Sequence, residues 1–177
     1  MTREPPELLT IAETHPFLGL TEDQLNSLFG QLHVLRLPNK YRLMALPFAE
    51  ALRDALAGSP YKPLYTVRRH FIQTPAAHEA IQEGKDRYTK AIANHIEQLR
   101  VDERDEPLPV LSAESVRAIL YLGKTSIIAS WGQRNLMETF RHDETLYVAQ
   151  AALENAVHWE YPEDYRQKSV ATPEPTQ

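Results

Sequence analysis

Glutamate and histidine are the side chains whose spacing in this sequence first suggests chemistry. Glu138 precedes His142, and Glu154 precedes His158, by four positions, so each pair would lie on one face of a helix. Di-iron helical bundles instead use glutamate and histidine three positions apart, supported by glutamates from other helices. Because that spacing and those further ligands are missing, the sequence predicts polar pairs at these positions and no metal site.

The remaining polar candidates are three histidines and a short basic cluster. His70, His78 and His95 fall on segments that would line an internal pocket. A lone histidine on an apolar face is typical of a hydrogen-bonded core residue, with ligand contact as the alternative for His95. Arg68 and Arg69, next to His70, favour a solvated face over a phosphate or carboxylate site. No nucleophile accompanies a base and its orienting partner, so the sequence predicts no catalytic residue and no cofactor, and favours a binding protein over an enzyme.

Composition places the chain among globular proteins. Its 177 residues fit one domain with a full core, and 24 acidic against 19 basic side chains give a net charge of −5. That sign favours neither nucleic acid nor anionic membranes, and the absence of cysteine excludes disulfides and thiolate chemistry. Residues 1–17 lack the apolar core of a signal peptide, and the apolar run 118–131 is too short to span a membrane. We therefore expect a cytoplasmic protein without a membrane segment.

Helical periodicity and proline dominate the chain. Thr21 and Gln24 have the spacing of a capping box, which predicts a short amphipathic helix over 21–33. Thr74 and Pro75 suit the cap and first turn of the clearest amphipathic helix, which we expect to run to residue 99. We recognise no strand, hairpin or repeat. The sequence thus predicts an all-α fold, a bundle of about six to eight helices, with an arm and short helix in 1–38, a ligand-binding and dimerisation domain in 39–160 and a disordered tail in 161–177.

The segment 112–132 is apolar on nearly every side, and such a helix must be buried all round. It is either the central helix of one bundle or a helix that packs on its own core with one face and on a second copy with the other. The second reading predicts a homodimer in which two helices from each subunit, 115–132 and 145–159, form the interface. The residues expected at this interface are Ile119, Gly123, Ile127, Ile128, Trp131, Leu146, Leu153 and Val157.

The order of elements from about 43 to 159 resembles the ligand-binding and dimerisation domain of the tetracycline-repressor (TetR) family. The likeness rests on FAEALRDALAGSPYKPLYTVRRHFIQTPAAHEAIQEGKDRYTKAIANHIEQL, on SVRAILYLGKTSIIASWGQRNLM and on TLYVAQAALENAVHW. It implies that the first part surrounds an effector pocket and that the last two long helices form the dimer interface. The family's DNA-reading end is a helix-turn-helix, but residues 1–40 lack the expected recognition helix because Leu35 and Leu37 alternate into Pro38. DNA binding is therefore expected to be absent, or weak and erased by modest salt.

A pocket is predicted around Gly84, which lies on the core face of the 74–99 helix. Glycine there costs about 1 kcal/mol of helix stability relative to alanine, so either a neighbour approaches closely or a space is kept open. The second alternative predicts that Gly84→Leu abolishes ligand binding and leaves the fold at least as stable. We expect a flat or elongated hydrophobic small molecule in contact with Tyr65, Phe71, Gly84, Tyr88, His95 and Tyr121.

Three functions remain open from the sequence. The first is a small-molecule-sensing, dimerising regulatory module of the TetR C-terminal type. The second is a helical protein-protein interaction or adaptor protein without a ligand, which binds its protein partner through the apolar helices or through the first amphipathic helix. The third is a helical-bundle enzyme with no recognisable motif. The sequence favours them in that order.

Overall fold

The computed structural model describes residues 8–29, 31–100, 106–163 and 165 of the chain. Within them, α-helices alternate with short β-strands, and the strands form two antiparallel sheets of four strands each. The predicted all-α class and the predicted helical bundle are therefore wrong, and the fold is mixed α/β. The strands escaped prediction because they are only two to five residues long, too short to display the alternation of a half-buried strand. None of the helices in these residues is long and apolar enough to cross a membrane.

The first part of the chain folds into a unit of three strands and three helices, which we call unit 1. Its elements are β1 (Leu8–Leu9), α1 (Ile11–Leu18), α2 (Glu22–Phe29), β2 (Val34–Arg36), β3 (Arg42–Ala45) and α3 (Leu46–Ala57). The capping box that the sequence predicts at the start of α2 is confirmed. The Gln24 backbone N–H donates to Thr21 Oγ1 at 3.1 Å, and the Thr21 N–H donates to Gln24 Oε1 at 2.8 Å.

A helical connection leads from unit 1 to a second unit of the same size. The connection contains α4 (Leu64–Phe71), α5 (Pro75–His95) and β4 (Glu97–Leu99). The cap of α5 is as predicted, because Thr74 Oγ1 accepts from the Ala77 N–H at 3.2 Å, but the helix ends at His95 and the chain continues as a strand. Unit 2 then comprises β5 (Leu108–Ser112), α6 (Ala113–Ile119), α7 (Ser126–Gln133), β6 (Phe140–His142), β7 (Thr145–Ala149) and α8 (Gln150–Ala156), followed by β8 (His158–Glu160).

Units 1 and 2 repeat one arrangement of strands and helices. Both follow the order strand, helix, helix, strand, strand, helix, and both place the third strand between the first and the second: β1-β3-β2 in unit 1 and β5-β7-β6 in unit 2. All of these pairings are antiparallel. The chain therefore contains a duplicated supersecondary unit that the sequence analysis did not recognise.

Local details recur at equivalent places in the two units. Thr10 and Ser112 are hydroxyl caps that join the first strand to the first helix, and each accepts a hydrogen bond from the backbone three residues on. The last helix of each unit follows an extended alanine, Ala45 or Ala149, that makes no side-chain cap. Each hairpin also turns through two consecutive residues with positive φ, which are Asn39 and Lys40 in unit 1 and Asp143 and Glu144 in unit 2.

The two units pack against each other through a shared hydrophobic core. Leu35 and Leu43 of unit 1 belong to the same buried cluster as Ile128 and Trp131 of unit 2. A second cluster joins the helices of unit 1 to α4 and α5. Where α5 crosses unit 1, a Cβ added at Gly84 would lie only 2.8 Å from the Cβ of Ala45. Of the two explanations that the sequence left open for this glycine, the structure thus supports close approach of a neighbour.

Each sheet is completed by a strand from outside its unit. β4 pairs with β5 of unit 2, and the C-terminal β8 returns to pair with β2 of unit 1. Glu160 on β8 accepts from Arg36 Nη1 at 2.9 Å and lies 3.5 Å from Arg42 Nε. The predicted disordered tail from Tyr161 onward falls outside the described residues except for 161–163 and 165. The ring of Tyr161 lies 4.8 Å from that of His33.

Candidate functional site

The pair of helices α6 and α7 in unit 2 forms the first candidate surface. Ser112 Oγ accepts from the Ser115 N–H at 3.1 Å and so opens α6, which buries Val116 and Ile119. The turn 120–125 follows, with Tyr121 at a φ of 57°. Two short helices joined by a turn and followed by a β-hairpin therefore form one side of the molecule.

Helix α7 is amphipathic. It buries Ile128 and Trp131 in the core shared by the two units. Its other face exposes hydrogen-bonding side chains one and two turns apart: Ser126, Ser130 and Gln133. The side chain of Thr125 does not cap the helix; the Ile127 and Ile128 N–H groups donate to the carbonyls of Lys124 and Thr125, and the N-terminal end of α7 carries the positive end of the helix dipole.

The sequence segment that contains α7 carries charge of one sign. No aspartate or glutamate occurs between residues 115 and 137, although the chain has 24 acidic residues. Lys124 lies just before α7 and Arg134 just after it, both exposed, and neither forms an ion pair with a described residue. The equivalent helix of unit 1, α2, begins with Glu22 and Asp23 and has no basic side chain in its last turn. Unit 2 thus offers a surface that attracts anions where unit 1 repels them.

Close packing fixes the direction of α7. A Cβ added at Gly132 would collide with the side chain of Thr139, so the helix rests directly on the segment that leads into β6. The β6–β7 hairpin beyond it carries one exposed cation, Arg141, whose Nη1 donates to the Glu144 carbonyl at 3.4 Å. Its tip exposes Asp143 and Glu144. The anion-attracting surface is therefore α7 with its N-terminal turn, and does not extend to the tip of the hairpin.

The glutamate–histidine pairs predicted to share helix faces do not do so. His142 is in β6 and Glu138 precedes that strand, while Glu154 is in α8 and His158 in β8. The Nε2 atom of His142 instead lies 3.6 Å from Asp143 Oδ2. Within the described ranges, no three histidine, aspartate or glutamate side chains come together as metal ligands.

The other polar candidates lie apart from one another. His70 and Arg69 are exposed on α4, whereas Arg68 is buried and its Nη1 donates to the Gln31 carbonyl at 3.4 Å. The ring of His78 packs 4.9 Å from that of Tyr165. His95 is exposed at the end of α5, with its Nδ1 3.2 Å from Ser115 Oγ.

The residues predicted to line a ligand pocket do not converge. Phe71, Gly84 and Tyr88 are buried in packed parts of the core, and Tyr65 is half exposed on α4. Burial raises the pKa of Tyr88, with a further contribution from Glu154, and its ring meets that of Trp159 edge-on at 5.6 Å. Within the predicted set, Tyr121 lines a cavity between the two units, whereas Phe71 lines a separate one between α3 and α4.

Most residues of the predicted dimer interface are covered within one chain. Buried in the core that the two units share are Ile119, Ile128, Trp131, Leu153 and Val157. Ile127 and Leu146 are half-buried and Gly123 is exposed. Both the predicted homodimer and its interface stay predictions.

One buried group was not expected from the sequence. His33 is fully buried, and neither ring nitrogen has a hydrogen-bond partner among the described residues. Its ring stacks on Trp159 at 4.7 Å and meets Phe48 edge-on at 5.6 Å. Burial, with a smaller contribution from the charge of Lys85, lowers the pKa of this histidine to about 3. No pattern around position 33 distinguishes it from a surface histidine.

His33 should make the stability of the protein depend on pH. Because its pKa is depressed on folding, the folded state favours the neutral ring, so stability is complete above the ordinary pKa of about 6.5 and is lost as the pH falls toward 3. From these two values we expect a loss of about 2 kcal/mol at pH 5. Urea unfolding at pH 7 and pH 5 measures it. His33→Phe should reduce the loss, whereas His70→Gln, at an exposed position, should not. An unchanged pH dependence in His33→Phe would contradict the assignment.

Comparison of the chain with protein-family models, with curated proteins and with solved structures finds no match.

Proposed function

We propose that the protein binds double-stranded nucleic acid through α7 of unit 2. The observation that carries the proposal is the carboxylate-free stretch 115–137, which places exposed Lys124 and Arg134 at the two ends of an exposed polar helix face. In helix-turn-helix proteins, the second helix of such a pair enters the major groove and its N-terminal residues contact the base edges. The pair α6 and α7 is analogous to that motif only in the order of its elements, and the charge and the polar side chains of α7 support nucleic-acid binding independently.

Each part of the α7 surface could contact a different part of a duplex. Lys124 and Arg134 would contact phosphates at either end of the helix, and the positive end of the helix dipole would favour a phosphate at its N-terminus. Ser130 and Gln133 have hydroxyl and amide groups that hydrogen-bond to base edges. Unit 1 lacks this chemistry because Glu22 and Asp23 open the equivalent helix. The proposal therefore assigns nucleic acid to one copy of the duplicated unit.

The net charge of −5 limits how tightly such a protein would bind. About two or three phosphate contacts give a logarithmic salt slope of roughly −2 to −3, so affinity should fall steeply as salt rises. The sequence-based expectation for the whole chain is that DNA binding is absent, or weak and erased by modest salt, because of the net charge and the missing recognition helix in residues 1–40; the present proposal departs from it. One titration of duplex binding against salt concentration distinguishes the expected absence of binding from binding through α7.

A pair of double variants tests the proposal. Fluorescence anisotropy with a mixed-sequence DNA duplex at about 50 mM salt should show binding by the wild type. Lys124→Ala/Arg134→Ala should weaken it by about tenfold or more and flatten the salt slope by about 2. Lys62→Ala/Lys90→Ala removes the same charge at exposed positions away from α7 and should change binding far less.

Two outcomes would contradict the proposal. One is wild-type protein that shows no binding to duplex DNA or duplex RNA even at low salt. The other is an equal loss in both double variants, which would indicate a nonspecific response to net charge. Ser130→Glu adds a second check, because a carboxylate on the exposed face of α7 should reduce binding without disturbing the buried face. Circular dichroism confirms that each variant is folded.

A further inference from the structure

A cavity of about 500 Å³ lies where the two units meet. Unit 1 contributes the start of α1, one side of α2 and the β2–β3 hairpin. Unit 2 contributes residues 120–123 of the α6–α7 turn and Ile127 of α7. Its volume is within the range of about 300–1,000 Å³ that is typical of small-molecule sites.

The inner surface of the cavity is apolar. Leu37, Leu43 and Leu120 are buried and lie at its base. Ile11 and Leu122 are half-buried side chains that extend this surface toward the mouth. Tyr41 and Tyr121 add aromatic rings from unit 1 and unit 2. A ligand that fills this space must therefore present hydrocarbon or aromatic surface over most of its length.

Polar groups are confined to a few positions around this apolar surface. Lys40 and Arg42 lie on the hairpin, and Glu22 and Asn26 lie on α2. Arg42 is held by Glu160, whose Oε1 is 3.5 Å from its Nε. Lys40 is exposed, follows Asn39 in a turn with positive φ, and forms no ion pair with a described residue. Among the described residues that line the cavity, Lys40 is thus a cation without an ion pair beside a hydrocarbon-lined space.

We propose that this cavity binds a hydrophobic monocarboxylate, with the hydrocarbon body between the units and the carboxylate at Lys40. The apolar base provides the burial, and the lysine ammonium provides a charge-assisted partner for the anionic end. A sugar or nucleotide would leave most of its polar groups without partners against these leucine side chains. The proposal goes beyond nucleic-acid binding and does not depend on it.

Gly123 provides a way to fill the cavity without disturbing the fold. It lines the cavity and is exposed, and no atom lies within 4 Å of the position that its Cβ would occupy. Its φ is not in the left-handed region, since Gly19 is the glycine with positive φ among the described residues. Gly123→Phe should therefore place a ring in the space that the ligand needs. Ala12→Phe, at another exposed position of the lining, is the second blocking variant if the first does not fold.

The experiment compares decanoate with decanol by isothermal titration calorimetry on the full chain, at concentrations where neither forms micelles. We expect submillimolar binding of decanoate and binding of decanol that is about fivefold or more weaker, because the alcohol lacks the charge that Lys40 attracts. Lys40→Gln should reduce the affinity for decanoate to that for decanol and leave decanol unchanged. Lys90→Gln, on the exposed side of α5, should alter neither.

Four results would overturn the proposal: no decanoate binding by the wild type up to about 1 mM, full binding by a folded cavity-filling variant, equal affinity for acid and alcohol, or no change in Lys40→Gln. Loss of both ligands in Gly123→Phe or Ala12→Phe, with unchanged circular dichroism, would support it. Failure of decanoate binding would leave the duplex-binding assay unaffected, so the two proposals fail separately.

Discussion

Gly84→Leu is expected to destabilise the protein by about 3 kcal/mol or more, the upper end of the cost of overpacking a core. The Cβ alone would lie 2.8 Å from the Cβ of Ala45, and a leucine adds three more carbon atoms. Ala45 is fully buried where β3 passes into α3, so the side chain cannot escape into solvent. Urea unfolding measures the effect as a lowered midpoint.

A residue swap provides the matched control. Gly84→Ala alone gains helix propensity of about 1 kcal/mol but makes the short contact with Ala45. The double variant Gly84→Ala/Ala45→Gly moves the methyl group to the opposite side of the same gap, and should recover most of any stability lost in Gly84→Ala. If Gly84→Leu were as stable as the wild type, this result would support the sequence-based expectation of an open space at residue 84. It would contradict the close packing of α5 on unit 1.

Local signals in the sequence identified caps and helices well. The capping box at Thr21 and Gln24 and the cap at Thr74 are present because each depends on side chains no more than three residues apart. Three of the strands, β3, β5 and β7, were not predicted because each runs directly into a helix. Leu146, Ala149 and Leu153 were expected on one helix, yet β7 ends at Ala149 and α8 begins at the next residue. A strand followed at once by a helix reproduces the three- and four-residue spacing of a single amphipathic helix.

The apolar segment 112–132 was misjudged for a related reason. Two helices, α6 and α7, each bury a different face around the turn 120–125. Laid end to end in the sequence, the two faces look like one helix that is apolar on every side. The TetR likeness rested on this stretch as one long helix, and the described residues divide it, so it supports neither proposal made above.

The amino-acid sequences of the two units have diverged, which explains why the duplication is not visible as a sequence repeat. In their first strand and helix, the positions of Leu9, Leu18 and Leu20 are leucine again at 111, 120 and 122. The second helices share no charge pattern, because α2 begins with acids and α7 has none. The α7 surface lies outside residues 1–40, where the family likeness implies a DNA-reading helix. The carboxylate-free stretch 115–137 was the signal that would have found it.

Ile127→Glu and Ile128→Glu should have opposite outcomes, although the residues are adjacent. Ile128 is fully buried with Trp131 in the core between the units, and a glutamate there must either ionise in apolar surroundings or take up a proton. Its pKa would have to rise by about three units or more, which costs about 4 kcal/mol at pH 7. We expect this variant to be unfolded or insoluble.

Ile127 is half-buried at the wall of the cavity, so a glutamate there keeps its carboxylate near water and the variant should remain folded. Circular dichroism separates the two variants, and analytical ultracentrifugation relates them to the predicted homodimer. If both residues belonged to a dimer interface, both substitutions would convert a wild-type dimer into monomers or insoluble protein. A folded, monomeric Ile128→Glu variant would therefore support the predicted dimer interface and contradict the burial of Ile128 within one chain. Loss of folding in Ile128→Glu together with a folded Ile127→Glu is the result expected for burial of Ile128 within one subunit.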